Sequence, residues 1–501
     1  MNKVEQRRVV LLTLDRGAVP ATSIHLYCEA CKINYHHNYK VDRGQRTYYE
    51  GVPVVLQIGE HHFAEVQLIN AWINLMVLAW VSATNCARWY NVSIAMRRGH
   101  HDTPWQFKLG VTSDQVYDGF TILSLLEDCA RRQTVLQVSH TGDEKVRFAQ
   151  AVFDRNERLR EGGLGYHYHS CTKCTRRNND NTTTKVVVID GVTLGHPCCA
   201  VHNCTLPLKS NRHRYCPKHL EEGEDTYCCV VGCRALAVGS TRSCSIPSHI
   251  TAVKERLEMG KARFYLKSQL EKSKAIQIIS SLPRLADDDE NDHDEHADVS
   301  DVEIDTESSD PTGKGAPKIR VQAGRTRTHN QQLFVAPCGL VIARDTFYGA
   351  EAVGSVVKMI EKVYKNPDTC PNHIFFDNNC ILSKMVKGKR KFFDDIGLTV
   401  DVFHFGSKHK VTDLYCQTKC NPAHFEELQI LDDNGVNQGW YFNSSVAEQT
   451  NAWIGGYLAI CREMRVDRFN FFLDEMILRR NAIILDKLHK AGANPFMYVP
   501  T

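Results

Sequence analysis

The spacing of apolar residues changes along the chain, and each change marks a region. Residues 1–61 read as strands. Arg8-Val-Val-Leu-Leu-Thr-Leu14 and Val54-Val-Leu-Gln-Ile58 are short β-branched runs, and Pro53 stands just ahead of the second, where a strand tolerates it. Residues 62–160 switch to helical spacing. Phe63, Val66, Leu68, Ile69, Trp72, Ile73, Leu75 and Met76 make one wide apolar face, Phe120 to Leu126 a second, and Val146 to Leu159 a third. Trp80, Trp89 and Tyr90 are assigned to the core. The most apolar stretch, Leu68 to Val81, is broken by Asn70 and Asn74 and is too short to span a bilayer, so it predicts a buried helix and no membrane partner.

From residue 318 to 490, strand and helix patterns alternate. Leu333–Ala336 and Leu340–Ala343 predict strands around Pro337-Cys338-Gly339, and Gly349–Tyr364 predicts a helix. His373-Ile-Phe-Phe-Asp377 predicts an apolar strand ending in a carboxylate, and Val400-Asp-Val-Phe-His404 another strand. Ser445–Arg465 predicts a helix carrying Glu448. An Asp at the end of a central strand and a Glu on a later helix is the layout of RNase H-like nucleases, whose carboxylates hold metal ions for phosphoryl transfer.

Composition changes this picture in two ways. Twenty cysteines behind a charged Met1–Val10 argue for a reducing compartment and for metal rather than disulfides. The net charge of +3 hides an uneven distribution: with the thirteen acidic residues of Asp287–Asp310 set aside, the remainder carries +16. That basic balance suits a nucleic-acid partner, with the basic segment Thr251–Leu285 able to lie along a phosphate backbone. The acidic run predicts a disordered linker.

The densest chemistry lies between His167 and His249. Cys199, Cys204, Cys216 and His219 form one Cys-x4-Cys…Cys…His unit, and Cys228, Cys233, Cys244 and His249 repeat it. Three thiolates and one imidazole from two short knuckles are what a structural zinc requires. Spacing favours Cys228 over Cys229, and it does not decide whether the two sets exchange pairs. His167, His169, Cys171 and Cys174 supply a third knuckle, with His196 or Cys198 as candidates to complete it and a polar, basic loop from Thr175 to Val186. Cys28 and Cys31 form an isolated knuckle. His404, His409, Cys416 and Cys420 have the residue types of a further zinc site.

These residues carry a resemblance. Asp401-Val-Phe-His404, His409, Cys416, Cys420-Asn-Pro422, Phe442 to Asn451 and Phe471 to Met476 resemble the catalytic region of KDZ (Kyakuja–Dileera–Zisupton) transposases. The Cys/His units resemble the cysteine clusters that accompany those enzymes, and residues 1–160, with Tyr27-Cys28-Glu-Ala-Cys31, resemble a second cluster type. The resemblance implies an α+β multidomain chain: residues 1–160 as an N-terminal cluster domain, 161–284 as the zinc region with a basic helix, 285–317 as the acidic linker, and 318–501 as an α/β RNase H-like domain. It matches Asp377 to the second catalytic carboxylate, Glu448 to the third, and Asp401 and His404 to a C/D-x-x-H motif. The first catalytic Asp is expected near Lys318–His329, which holds no carboxylate, and Asp345 follows a later strand. The expectation is therefore a nuclear, zinc-binding, DNA-binding transposase relative with an incomplete site for magnesium or manganese, working with a partner transposase or chromatin protein. The alternatives are an active cut-and-paste transposase and a protein-interaction module without nucleic acid.

Overall fold

The computed structural model describes residues 3–95, 105–178, 180–239, 241–259, 319, 321–322, 324–349, 352–408 and 412–497. The acidic run, the basic segment beyond Met259 and His409 lie outside the described residues. Two compact units result. One is assembled from Met1–Pro197 and Arg327–Thr501, the other is Cys198–Thr326. Among the described residues, no helix is long and apolar enough to cross a membrane.

Among the described residues the larger unit holds two large sheets, with smaller two-stranded pairs beside them. The first has eight strands in the order β6-β7-β1-β2-β3-β4-β5-β8. They are β1 (Lys3–Thr13), β2 (Gly17–Cys28), β3 (Ile33–Tyr35), β4 (Tyr39–Asp42), β5 (Gln45–Tyr48), β6 (Val55–Gln57), β7 (His62–Glu65) and β8 (Gln137–Ser139). Helices α1 (Val66–Ala79), α2 (Ala83–Tyr90), α3 (Ser113–Arg131) and α4 (Ala149–Gly162) accompany it. The apolar stripe of α1 buries Leu68, Ile69, Trp72, Ile73, Met76 and Val77. Each such side chain contributes about 1.5–3 kcal/mol on burial. Thr112 starts α3 with a reciprocal capping box to Gln115.

The second sheet is built on β11 (Thr183–Val192), which follows β9 (His169–Ser170) and β10 (Thr175–Arg177). Thr175–Val186 is thus a hairpin and strand rather than a polar loop. The sheet continues with β12 (Asn330–Val335), β13 (Val341–Phe347), β14 (His373–Phe375) and β15 (Gly397–Thr399), in the order β13-β12-β11-β14-β15 with β10 paired to β11. β11 runs antiparallel to β12 and parallel to β14, and β14 is parallel to β15. Val186 to Ile189 are all buried, as a strand covered on both faces requires. Val186, Val188 and Phe375 share one core with Val446, Ile454 and Phe471, while Val187, Ile189 and Ile374 join another on the opposite face.

The helices of this part include α5 (Val353–Val363), α6 (Asn379–Val386), α7 (Val402–Lys408), α8 (Val446–Gly455) and α9 (Val466–Lys490), and β16 (Phe496–Met497) returns to pair with β9. Two expectations change here. The first long strand of this sheet in chain order is β11, which follows the short β10, and not Lys318–His329. Val400–His404 is not a strand: Asp401 Oδ1 accepts from the backbone N–H groups of Phe403 (2.9 Å) and His404 (3.1 Å), and this cap starts α7.

The smaller unit contains a short helix, Pro217–Glu221, and a longer one, Pro247–Met259, each opened by a proline that follows a cysteine-bearing turn. Its apolar clusters are slight: Cys199, Leu208 and Cys216 in one, and Cys228, Cys229, Val230, Cys244 and Val253 in the other.

Candidate metal centres and a carboxylate cluster

Both knuckles of the smaller unit turn in the same way. The residue before the second cysteine is left-handed in each, Asn203 at φ 58° and Gly232 at φ 84°. Cys204 N–H donates to Val201 O (3.1 Å) and Cys233 N–H to Val230 O (3.0 Å). The ligand atoms of Cys199, Cys204, Cys216 and His219 lie within 4.8 Å of one another, and so do those of Cys228, Cys233, Cys244 and His249. Each four stays within its own unit, without exchange. His219 Nδ1 is 3.3 Å from the sulfurs of Cys199 and Cys216, and His249 Nδ1 is 3.7 Å from Cys228 and 3.2 Å from Cys244. The Cys204–Cys216 and Cys233–Cys244 sulfur pairs are each 3.9 Å apart. Zinc bonds of about 2.3 Å to sulfur and 2.0–2.1 Å to nitrogen give tetrahedron edges of about 3.5–3.8 Å, which these spacings match. Burial raises the Cys228 thiol, but hydrogen bonds from the Val230 and Cys244 backbone and from His249 outweigh it and bring it to about 7.

A third group lies in the larger unit: His169, Cys171, Cys174 and Cys338. The knuckle is the expected one, but its fourth member is neither Cys198 nor His196. His196 is buried, with Nδ1 3.0 Å from Pro197 O and its ring against Phe469. Cys338 instead sits at the tip of the β12–β13 hairpin, where Gly339 (φ 97°) closes the turn, and its sulfur is 3.4 Å from His169 Nε2. Pairing of β9 with β16 holds His169 in place. All three groups are compatible with zinc.

The carboxylates meet on another face of the same unit. β11 and β14 pair Val186 with His373, Val187 with Ile374 and Val188 with Phe375. Asp190 lies two residues beyond the last of these pairs on β11, and Asp377 two residues beyond it past the end of β14. Side chains alternate along strands, so Asp190 projects to the face of Val188, where α8 packs. Asn451 of α8 donates to Asp190 Oδ2 (2.8 Å) and Gly191 O (3.3 Å). One turn earlier on α8, Glu448 Oε1 is 3.0 Å from His404 Nε2, while His404 Nδ1 is 2.8 Å from Asp377 Oδ1 and 3.6 Å from Asp401 Oδ1. Asp377 and Glu448 therefore approach one another with His404 between them.

Residues 1–94 match the family model described as CxC5 like cysteine cluster associated with KDZ transposases, and residues 188–256 match CxC6 like cysteine cluster associated with KDZ transposases. The chain carries two KDZ-transposase-associated cysteine clusters. No curated protein and no solved structure matches it.

Within the CxC6-like stretch lie both four-ligand groups of the smaller unit, and also Asp190. The CxC5-like stretch contains Cys28 and Cys31 at the β2–β3 turn. Cys31 is exposed, and among the described residues no third ligand joins the pair within the spacing of the other groups. Cys416 and Cys420 do not join His404. They pack with Cys380 and Val400, and burial pushes their thiols up to about 11 and about 12. Helix α7 turns His404 toward the carboxylates instead.

Sequence reasoning missed Asp190 and Cys338. A signal for Asp190 was present: Val187-Val-Ile-Asp190 repeats the apolar run ending in a carboxylate of Ile374-Phe-Phe-Asp377. Cys338 has no local partner, so spacing could not find it.

Proposed function

We propose that the chain is a zinc-braced DNA transposase of the KDZ kind, with an RNase H-like domain into which the CxC6-like unit is inserted between the first and second strands. The observation that carries this reading is Asp190 near the end of β11, bonded to Asn451 of the helix that bears Glu448, with Asp377 just beyond the neighbouring β14 and linked to Glu448 through His404. The strand order β13-β12-β11-β14-β15, with β12 antiparallel to its neighbours β11 and β13 and with β14 and β15 running parallel to β11, supports an RNase H-like reading. The expectation of a missing first carboxylate rested on a first strand at Lys318–His329, and β11 supplies Asp190 in that role.

Asp190, Asp377 and Glu448 form an all-oxygen donor set, which suits magnesium or manganese better than zinc. Such ions would supply the charge that neutralises phosphate oxygens during strand transfer. Asn451 fixes the orientation of Asp190, and His404 ties Asp377 to Glu448. Each of the three four-ligand Cys/His groups would hold one zinc. The exposed Arg212 and Lys209 in the first loop of the CxC6-like unit are suited to phosphate contacts, which salt would weaken.

The test is strand cleavage and joining on a transposon-end duplex with magnesium or manganese. Wild-type protein is expected to cleave, and Asp190→Ala, Asp377→Ala and Glu448→Ala are each expected to lose at least a hundredfold, with zinc content unchanged. Full activity of Asp190→Ala would remove it from the site and return the reading to a DNA-binding protein with an incomplete centre.

A further inference from the structure

Two side chains join the third Cys/His group to the helix that bears Glu448, and neither is a ligand of either centre. The first is Arg480 of α9. Its Nη1 donates to Gly339 O (2.8 Å), one residue past Cys338 at the hairpin tip. Its Nη2 donates to Thr450 Oγ1 on α8 (3.4 Å), and its guanidinium lies over the ring of Trp453, also on α8, 4.9 Å from the centroid. The next residue on α9, the fully buried Asn481, bonds both the N–H and the carbonyl of Val341 (3.0 and 2.9 Å). Helix α9 therefore grips the hairpin at two points and reaches across to α8 from there.

The second is Tyr441. Its Oη donates to Thr172 O (2.9 Å), between the ligands Cys171 and Cys174. The Arg176 guanidinium lies over its ring at 5.1 Å and donates to the carbonyls of Glu426, Glu427 and Gln429, which fixes the segment leading to Tyr441. Four residues later Ser445 starts α8. One link thus reaches the start of α8 and the other its middle. Helix α1 holds the far end separately, because Trp453 Nε1 donates to Val77 O (3.2 Å) and Tyr457 Oη to Met76 O (3.1 Å).

A metal held by His169, Cys171, Cys174 and Cys338 would tie the knuckle to the hairpin tip, so both links would place α8 from one rigid base. Helix α8 supplies Glu448 directly and orients Asp190 through Asn451. A shift of α8 therefore disturbs two of the three carboxylates at once. Magnesium and manganese are sensitive to such a shift, because their oxygen ligands must hold near-octahedral geometry. We propose that the third Cys/His centre sets the seat of α8 and through it the affinity of the carboxylate cluster for a divalent ion, with Arg480 as the positioning residue that carries the coupling and Tyr441 as the second link. This rests on the reading of Asp190, Asp377 and Glu448 as a magnesium or manganese centre.

The experiment is a double-mutant cycle on the full, zinc-loaded chain without DNA, with manganese as the probe. Manganese affinity is read by electron paramagnetic resonance and the protection of residues 446–455 by hydrogen exchange. Asp377→Ala marks which binding belongs to the carboxylate cluster. Arg480→Gln is expected to keep three zinc ions, to weaken manganese by about tenfold or more and to speed exchange in α8. Arg480→Lys keeps the charge but cannot bridge Gly339 and Thr450 together, and should behave the same way. Cys338→Ser, which gives up the third zinc, should produce the same two changes. Arg480→Gln added to Cys338→Ser should weaken manganese by less than about threefold further, because the link then has nothing left to carry. Losses that multiply in the double variant, or manganese affinity unchanged in either single variant, would overturn the proposal. If the wild type binds no manganese, the reading of the cluster falls, and the exchange readout decides the link to α8 by itself: it fails if α8 is as protected in Arg480→Gln and Cys338→Ser as in the wild type.

Discussion

The two units hold their metal groups for different reasons. In Cys198–Thr326 each four-ligand set closes within about one knuckle and one helix start, from Cys199 to His219 and from Cys228 to His249. The apolar clusters there consist largely of the cysteines themselves. In the larger unit, His169 and Cys338 are 169 residues apart and meet through the pairing of β9 with β16 and the β12–β13 hairpin. That unit buries a long list of aromatic and aliphatic side chains, including Trp72, Phe120, Phe334, Phe375 and Phe471. Metal would therefore create the fold of the smaller unit and only fasten the larger one.

The largest test of this contrast is metal removal. Structural zinc supplies on the order of 10 kcal/mol to small domains that lack a core of their own. Chelation, or Cys216→Ser with Cys244→Ser, should leave residues 198–259 fully open to protease while the two-sheet unit stays protected. A smaller unit that resists protease after verified zinc loss would break the comparison, because its fold would then not need the ligands.

A second test concerns Cys338. Cys338→Ser should lower zinc content from three ions to two and destabilise the larger unit by on the order of 3–5 kcal/mol, as expected when a metal ligand is lost from a fold that otherwise stands. Cys198→Ser should leave three ions in place. The reverse result would restore Cys198 as the fourth ligand and remove the hairpin from the site.

How much of this was legible follows from the same contrast. Ligand sets that close over about twenty residues are written into local spacing, so Cys199 to His219 and Cys228 to His249 could be read directly. Asp377 and Glu448 were readable because each sits on a strongly patterned strand or helix. Asp190 was hidden by connectivity: the strand that carries it precedes the inserted cysteine cluster, while its neighbours β12 and β14 follow it by well over a hundred residues. Strand patterns do not announce which strand is first in a sheet. Sequence patterns offered His404 two roles, a ligand beside His409, Cys416 and Cys420 and a member of the motif with Asp401. Helix α7, started by the Asp401 cap, presents its ring to Asp377 and Glu448 instead.

A narrower test lies within the carboxylate cluster. Asn451 donates to Asp190, so Asn451→Ala should leave Asp190 present but free to change rotamer. The expected loss of cleavage is about tenfold to a hundredfold, smaller than for Asp190→Ala, because positioning is lost and the charge is kept. Raising the manganese concentration should recover part of the rate in Asn451→Ala and none in Asp190→Ala. Equal, unrecoverable loss in both would mean that Asn451 acts directly on the reacting groups.

The smallest effect is expected at the knuckle in the CxC5-like stretch. Cys28 ends β2 and Cys31 lies in the exposed turn that follows, with its sulfur 3.9 Å from Tyr35 Oη. Hydrogen bonds from Cys31 hold the Cys28 thiol below its ordinary range. A lowered, accessible thiol of this kind reacts readily with alkylating reagents, whereas a zinc-bound one is shielded. With no third ligand among the described residues, two thiols alone do not complete a tetrahedral site. Cys28→Ser with Cys31→Ser should therefore leave zinc content at three ions and the melting temperature unchanged. In the wild-type chain, Cys28 should be alkylated well before Cys216 or Cys244. A fourth zinc ion lost on this double substitution, or protection of Cys28 that disappears with chelator, would make the knuckle a true metal site and give the two-sheet unit a locally closed centre of its own.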